Sequence, residues 1–189
     1  MAYDPAATRA RLLTAGYEEF LRVGLAGARV ARIAEAAKVN KQAAYHHFGS
    51  KEALFEAVMA DRLRILADAA PFTPDNLPGY AGALFDALAA DPGVQRLNQW
   101  KMLENPEASA GEVEAHVSKA AAVAEHYGIG MSRATDAMMI VLGIVMNWNA
   151  TEAKIRNPHD EDNARRLREH RTAVVSAVTA VTNALLGER

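Results

Sequence analysis

The sequence predicts an all-α protein, on three observations. Apolar residues recur at helical spacing over most of the 189 positions, and no stretch alternates apolar and polar residues long enough to argue a sheet. An Asx-Pro pair opens three of the periodic segments, at Asp4-Pro5, Asp91-Pro92 and Asn157-Pro158. Composition agrees: half of the residues are apolar and 23% are charged, alanine recurs throughout, and runs of β-branched residues are few before the last segment. The length suits a small domain joined to a larger one.

Taken in order, Asp4 caps a first helix in which Leu13, Tyr17, Phe20 and Leu21 share a face, and Gly24 closes it near residue 23. Val30, Ile33, Ala34 and Ala37 form a short amphipathic helix over 29–37, and Asn40 caps a second short one over 41–48. Gly49-Ser50 then breaks the chain. A longer helix follows from residue 51 to about 70, with Leu54, Phe55, Val58, Met59, Leu63 and Leu66 as its buried stripe.

The three prolines of "PFTPDNLP" mark a joint at 71–78. Beyond it, helices are expected at about 78–90, 92–104, 112–127, 132–153 and 158–186, which brings the total to nine. The chain is therefore expected to divide into a unit of residues 1–50, a connecting helix over 51–70 and a helical body over 71–189.

Charge and cysteine usage narrow the function. Through Leu66 there are ten Lys/Arg against seven Asp/Glu, about +3, on a chain whose net charge is -2. A basic first third on an acidic body is a weak sign of a polyanion contact. The absence of cysteine removes disulfides, thiolate metal ligands and cysteine nucleophiles, and suits a cytoplasmic protein. The start, "MAYDPAATRAR", has no apolar signal core, and the longest uncharged stretches (137–150 and 172–187) fall short of a membrane span. No membrane partner is expected.

An enzyme is the main alternative from another class. Glu112 and His116 lie four apart, and Glu125-His126, Glu169-His170 and "HDED" invite a metal or acid–base site. A helical di-metal centre needs paired Glu-x-x-His motifs with further carboxylates, and no such motif is present. No nucleophile motif or phosphate-binding glycine loop occurs either, so no catalytic residue, cofactor or metal is assigned.

Two short helices joined by a three-residue turn, with a third across them, form the arrangement that presents one helix to the major groove of DNA. The residues within it are specific. "IAEAAKV" and "AYHHFGSKEALF", following a first helix that ends in glycine, resemble the DNA-binding domain of the TetR family of bacterial transcriptional regulators, over about residues 8–59. The resemblance implies an N-terminal helix-turn-helix domain and a larger C-terminal helical domain for effector binding and dimerisation.

Tyr45, His46 and His47 fan around the end of the short helix. Adjacent helical side chains diverge by about 100°, poor geometry for chelating one metal. Hydrogen bonding from the tyrosine hydroxyl and the imidazole N–H to phosphate is the better reading, with Lys51 adding charge at the next helix N-terminus. The resemblance implies backbone contacts at Tyr45, His47 and Lys51 and base contacts at Lys41, Gln42, Ala43 and His46, beside the cap Asn40. Plainer roles stay open: His47 as a cap, Lys51 as a solvated lysine, and Tyr45 packed on the first helix.

Three departures from the family pattern matter. Ala28 and Arg29 stand where a hydroxyl residue opens the second helix, leaving that phosphate contact to the charge of Arg29 or Arg32. Lys38 occupies a turn position commonly glycine, which implies either a left-handed residue costing about 1 kcal/mol or a different turn. Gln42 replaces a common glycine with an amide able to read adenine.

A single head reads only a few base pairs, so a palindromic double-stranded DNA operator and a homodimer are expected. "DAMMIVLGIVMNWN" and "RTAVVSAVTAVTNALL" are too apolar to face water, and offer Leu142, Met146, Val174, Ala177, Val178, Val181 and Leu185 for a four-helix interface. For a small-molecule effector, Phe72, Tyr80, Phe85, Leu97, Trp100, Leu103, Tyr127 and Met139 supply aromatic and adaptable surface, with His116 and Asn147 as polar groups. A regulator with no effector is the alternative, and repression by occupancy is the simpler default.

Overall fold

The structure, a computed structural model, describes residues 4–187. Ten helices and no strand occur among these residues: α1 (Pro5–Gly27), α2 (Val30–Ala36), α3 (Lys41–Phe48), α4 (Lys51–Ala69), α5 (Leu77–Ala90), α6 (Gly93–Glu104), α7 (Ala110–Tyr127), α8 (Met131–Ala150), α9 (Ala153–Arg156) and α10 (Asn163–Leu186). They fall into two compact units. The first runs to Ile65 and takes in Gly93–Glu107, and the second holds Leu66–Pro92 and the chain from Ala108 onward.

This division differs from the expected body of 71–189 in grouping α6 with the N-terminal helices. The cause is local. Leu97 is fully buried in the core of the first unit beside Leu12, Phe20, Ile33, Phe55 and Val58, and α6 packs along α1. Phe20 and Phe55 meet edge to face at 5.0 Å between centroids. A Cβ on Gly16 would lie 3.0 Å from Val58, so the missing side chain lets α1 and α4 close together. Full burial of each large apolar side chain contributes about 1.5–3 kcal/mol.

In the second unit, α5 packs on α8 and α10, and α7 lies on α8. Its core includes Leu77, Tyr80, Phe85, Leu88, Val123, Val141, Val145, Trp148, Val174 and Val178. Arg171 on α10 grips Asp86 on α5 with both carboxylate oxygens at 2.8 Å.

Caps set several helix ends, and some of these ends differ from expectation. Ser109 and Glu112 form a capping box, which starts α7 at Ala110, earlier than the expected 112. The Asn157-Pro158 pair does not open the last helix at 158. Asn157 instead ends α9, its side chain bonding Glu161 N–H at 2.9 Å and Glu161 carbonyl at 2.7 Å, while Asp162 caps α10. The added α9 raises the count from the expected nine, and Thr151 ends α8 at Ala150 rather than near 153.

Candidate nucleic-acid interface

Helix α3 is built from its cap outward. Asn40 accepts the Ala43 N–H at 2.7 Å, and Gly49, at φ 79, takes the left-handed position past the C-terminus and donates to Tyr45 carbonyl at 2.8 Å. Ser50 then caps α4 by accepting the Ala53 N–H at 3.0 Å. The turn from α2 to α3 places Lys38 at φ 57, so the left-handed alternative is the one adopted. Val39 N–H closes this turn on the Ala34 carbonyl at 2.9 Å.

Ala44 is buried against α2 and anchors α3, which leaves Lys41, Gln42, Tyr45 and His46 exposed and Ala43 and His47 half-buried. This is one outward face with two long polar side chains at the helix N-terminus. Tyr45 is 41% exposed, with the Lys41 ammonium 5.6 Å from its centroid. The rings of His46 and His47 stand 6.0 Å apart at 73°, diverging as adjacent helical residues must. Among the described residues no group of three or more His, Cys, Asp or Glu is placed to hold a metal ion.

Two expected phosphate ligands carry internal bonds. Lys51 Nζ donates to the carbonyls of Ala26 at 3.3 Å and Ala28 at 3.5 Å. Arg32 reaches Gly27 carbonyl at 3.2 Å and holds Glu19 with Nε at 2.8 Å and its terminal nitrogen at 2.6 Å. Arg29 differs. Its backbone N–H donates to Glu19 at 3.1 Å while its side chain is exposed, so it is the arginine at the start of α2 turned to solvent.

Glu19 is the residue sequence reasoning missed. It is 8% exposed and takes bonds from Arg22, Arg32 and the Arg29 N–H. Burial works to raise its pKa, but the hydrogen bonds from Arg22, Arg32 and Arg29 outweigh it and hold the carboxyl below its ordinary value. The available signal was an acidic residue interrupting the apolar face of the first helix, with basic residues near the start of the second.

The residues expected to bind an effector are divided between the two units. Leu97 is core of the first unit, Trp100 packs over Gly24 there, and Leu103 is 78% exposed. In the second unit Phe72 and Tyr80 meet at 5.1 Å beneath Lys119, Phe85 meets Trp148, and Tyr127 lies against His126. His116 and Met139 are exposed. Asn147 lines a groove of about 500 Å³ between α8 and α10, with Ile140, Gly143, Ile144, His170, Ala173, Val174 and Ala177.

Of the expected interface set, Val178 is fully buried and Val174 nearly so, which makes Val178 a core residue of its own chain. Leu142, Met146, Val181 and Leu185 are half-buried, and Ala177 is exposed. An exposed stripe of α10 consists of Ala173, Ala177, Ala180 and Ala184, the first two lying across the groove from Ile140 and Gly143 on α8, where Met139 is exposed too. No single described helix is long and apolar enough to cross a membrane.

Comparison with known proteins agrees with this geometry. Residues 12–58 match the family described as bacterial regulatory proteins, tetR family, and residues 76–179 match the tetracyclin repressor-like C-terminal domain. The HTH-type transcriptional repressor SCO4008 of Streptomyces coelicolor is 37% identical over 156 residues, covering 78% of this chain and 80% of its own. The crystal structure of SCO4942 from Streptomyces coelicolor superposes with a TM-score of 0.78 at 34% identity, over 92% of this chain and 97% of that one. A tetR-family structure from Shewanella sp. PV-4, at 20% identity and a TM-score of 0.64 over 90% and 97% of the two chains, shares the fold.

Proposed function

We propose that this chain, which belongs to the TetR family of bacterial regulators and is a DNA-binding transcriptional regulator, represses by occupying a palindromic operator as a homodimer. The observation that carries the reading is the outward face of α3, where Lys41 and Gln42 stand exposed at the N-terminus of a helix anchored by Ala44. Side chains there reach base edges when such a helix enters the major groove. Tyr45, His47 and Arg29 flank them as phosphate contacts, His46 joins them on the base-reading face, and Lys51 and Arg32 act chiefly by holding the loop behind them.

Dimerisation through α8 and α10 is supported by their outward small and apolar stripe, which lets two helix pairs approach closely. The name of SCO4008 supports repression. A regulator of this kind works where the chromosome is, in the cytoplasm. A small-molecule effector taken up by the second unit would release the operator to the extent that it binds the DNA-free arrangement more tightly.

Selection of bound duplexes from a random pool tests the reading. A palindromic consensus should emerge, its affinity falling steeply with added salt as phosphate counterions are released. Recovery of no preferred sequence would overturn it, and screening metabolites for release of that duplex separates an effector-responsive regulator from a constitutive one.

A further inference from the structure

Glu104, in the last turn of α6, closes on a break in α1. The helix interrupts at Gly24, with φ 69 and ψ -175, and the chain beyond it begins a short turn whose first N–H groups lack helical partners. Glu104 Oε2 accepts two of them, from Leu25 at 2.6 Å and Ala26 at 3.0 Å. A Cβ on Gly24 would lie 2.8 Å from Glu104 Oε1 and 2.8 Å from the Trp100 ring. Glycine is therefore required both by the backbone conformation and by the approach of α6.

The other faces of the same loop are also held. Lys51 takes the carbonyls of Ala26 and Ala28, and Glu19 takes the Arg29 N–H. Asn105, just past α6, donates to Glu56 of α4 at 3.0 Å. Buried Lys101 donates to the Glu107 carbonyl at 3.0 Å, fixing the chain as it leaves α6. A carboxylate from one helix and an ammonium from another thus grip opposite polarities of one short loop, the loop that leads into α2.

We propose that Glu104 is a positioning residue for DNA binding: its carboxylate latches α6 to the 24–29 loop and sets the direction in which that loop delivers Arg29, α2 and the reading helix α3. The inference rests on DNA binding by α3, and Glu104 itself touches no DNA. It also makes α6 an input to the head, because displacing the carboxylate frees two N–H groups at the root of the helix-turn-helix unit. A charge-assisted bond shared by two donors is stronger than the neutral bond an amide provides.

The test uses the full chain and a duplex selected from a random pool. Glu104→Gln keeps the shape and one acceptor oxygen but removes the charge. At a temperature where circular dichroism shows the variant folded, its affinity for the selected duplex should fall about tenfold, while its affinity and salt slope on an unrelated duplex stay unchanged. Glu104→Asp, which restores the charge on a shorter arm, should recover part of the loss.

Wild-type affinity in Glu104→Gln, or an equal loss on both duplexes, overturns the proposal. Should that variant fail to fold, amide hydrogen exchange of the wild-type chain decides. Exchange at Leu25 and Ala26 that slows severalfold when the duplex is added supports the latch, and unchanged exchange overturns it. If the wild-type chain prefers no duplex at all, the DNA-binding reading fails first and the latch falls with it.

Discussion

Glu19 and Arg32 meet at 2.6 Å across the α1–α2 junction, with the carboxylate buried and the guanidinium partly in water. Glu19 also bonds Arg22 and the Arg29 N–H, so one buried anion sets the angle between the first helix and the helix-turn-helix pair. Glu19→Ala leaves those donors unpaired and should lower stability by about 2 kcal/mol, discounted for the exposure of both arginines. Urea unfolding measures this. Because the folded pKa is depressed, the stabilisation is present above the ordinary value of 4.5 and is lost as pH falls through the lower folded one. The variant should therefore lose less stability below pH 4.5 than the wild type does.

Lys38 holds φ 57 in the turn before α3. A side chain there costs about 1–2 kcal/mol, offset in a glycine variant by about 0.5–1 kcal/mol of extra unfolded-state entropy. Lys38→Gly should raise stability by about 0.5–1 kcal/mol in denaturant titration. A lower midpoint would show that Lys38 makes contacts worth more than its strain.

These two sites show what pattern reasoning reaches. Local signals were readable: Asp4 and Asn40 as caps, Gly24 as a glycine at positive φ and Gly49-Ser50 as a break all depend on neighbours within a few residues. Long-range pairing was not. Nothing near Glu104 in sequence says that its carboxylate meets Leu25, and Leu97 looked like any apolar residue of a middle helix until α6 was seen against α1. The Asn157-Pro158 signal misled because the Asn157 side chain bonds Glu161 instead of capping a helix. On α10, Val174 and Val178 belong to the core because one apolar helix has two small-residue faces, and periodicity does not say which faces inward.

His170 lies 4.6 Å from the Trp148 ring and 5.6 Å from the Phe85 ring, in the groove between α8 and α10. Burial, then the charges of Arg166 and Arg156, push its pKa below the ordinary 6.5. Above 6.5 both folded and unfolded forms are neutral at this site. As pH falls below it, the unfolded chain binds a proton that the folded chain resists, so stability declines. Replacing His170 with Gln should flatten the fall in melting temperature between about pH 7 and pH 5. A slope identical to wild type would place the acid sensitivity elsewhere.

Ala177 is exposed on the outward stripe of α10. Ala177→Glu sets a charge where two copies are proposed to meet and disturbs no contact of its own core, so it should yield a folded monomer by sedimentation velocity. Operator affinity should fall about 100-fold or more as two-headed binding is lost. A variant that remains dimeric would move the interface away from α10.

The reading by α3 is tested most directly by repeating the random-pool selection with Lys41→Ala/Gln42→Ala beside the wild type. Both residues are exposed at the N-terminus of α3 and bear no part of the core, so the variant should fold normally. The account predicts that the palindromic consensus loses information at symmetric positions in each half-site, while salt dependence drops by about one phosphate or less. An unchanged consensus would contradict it, because the sequence would then be read by some other element.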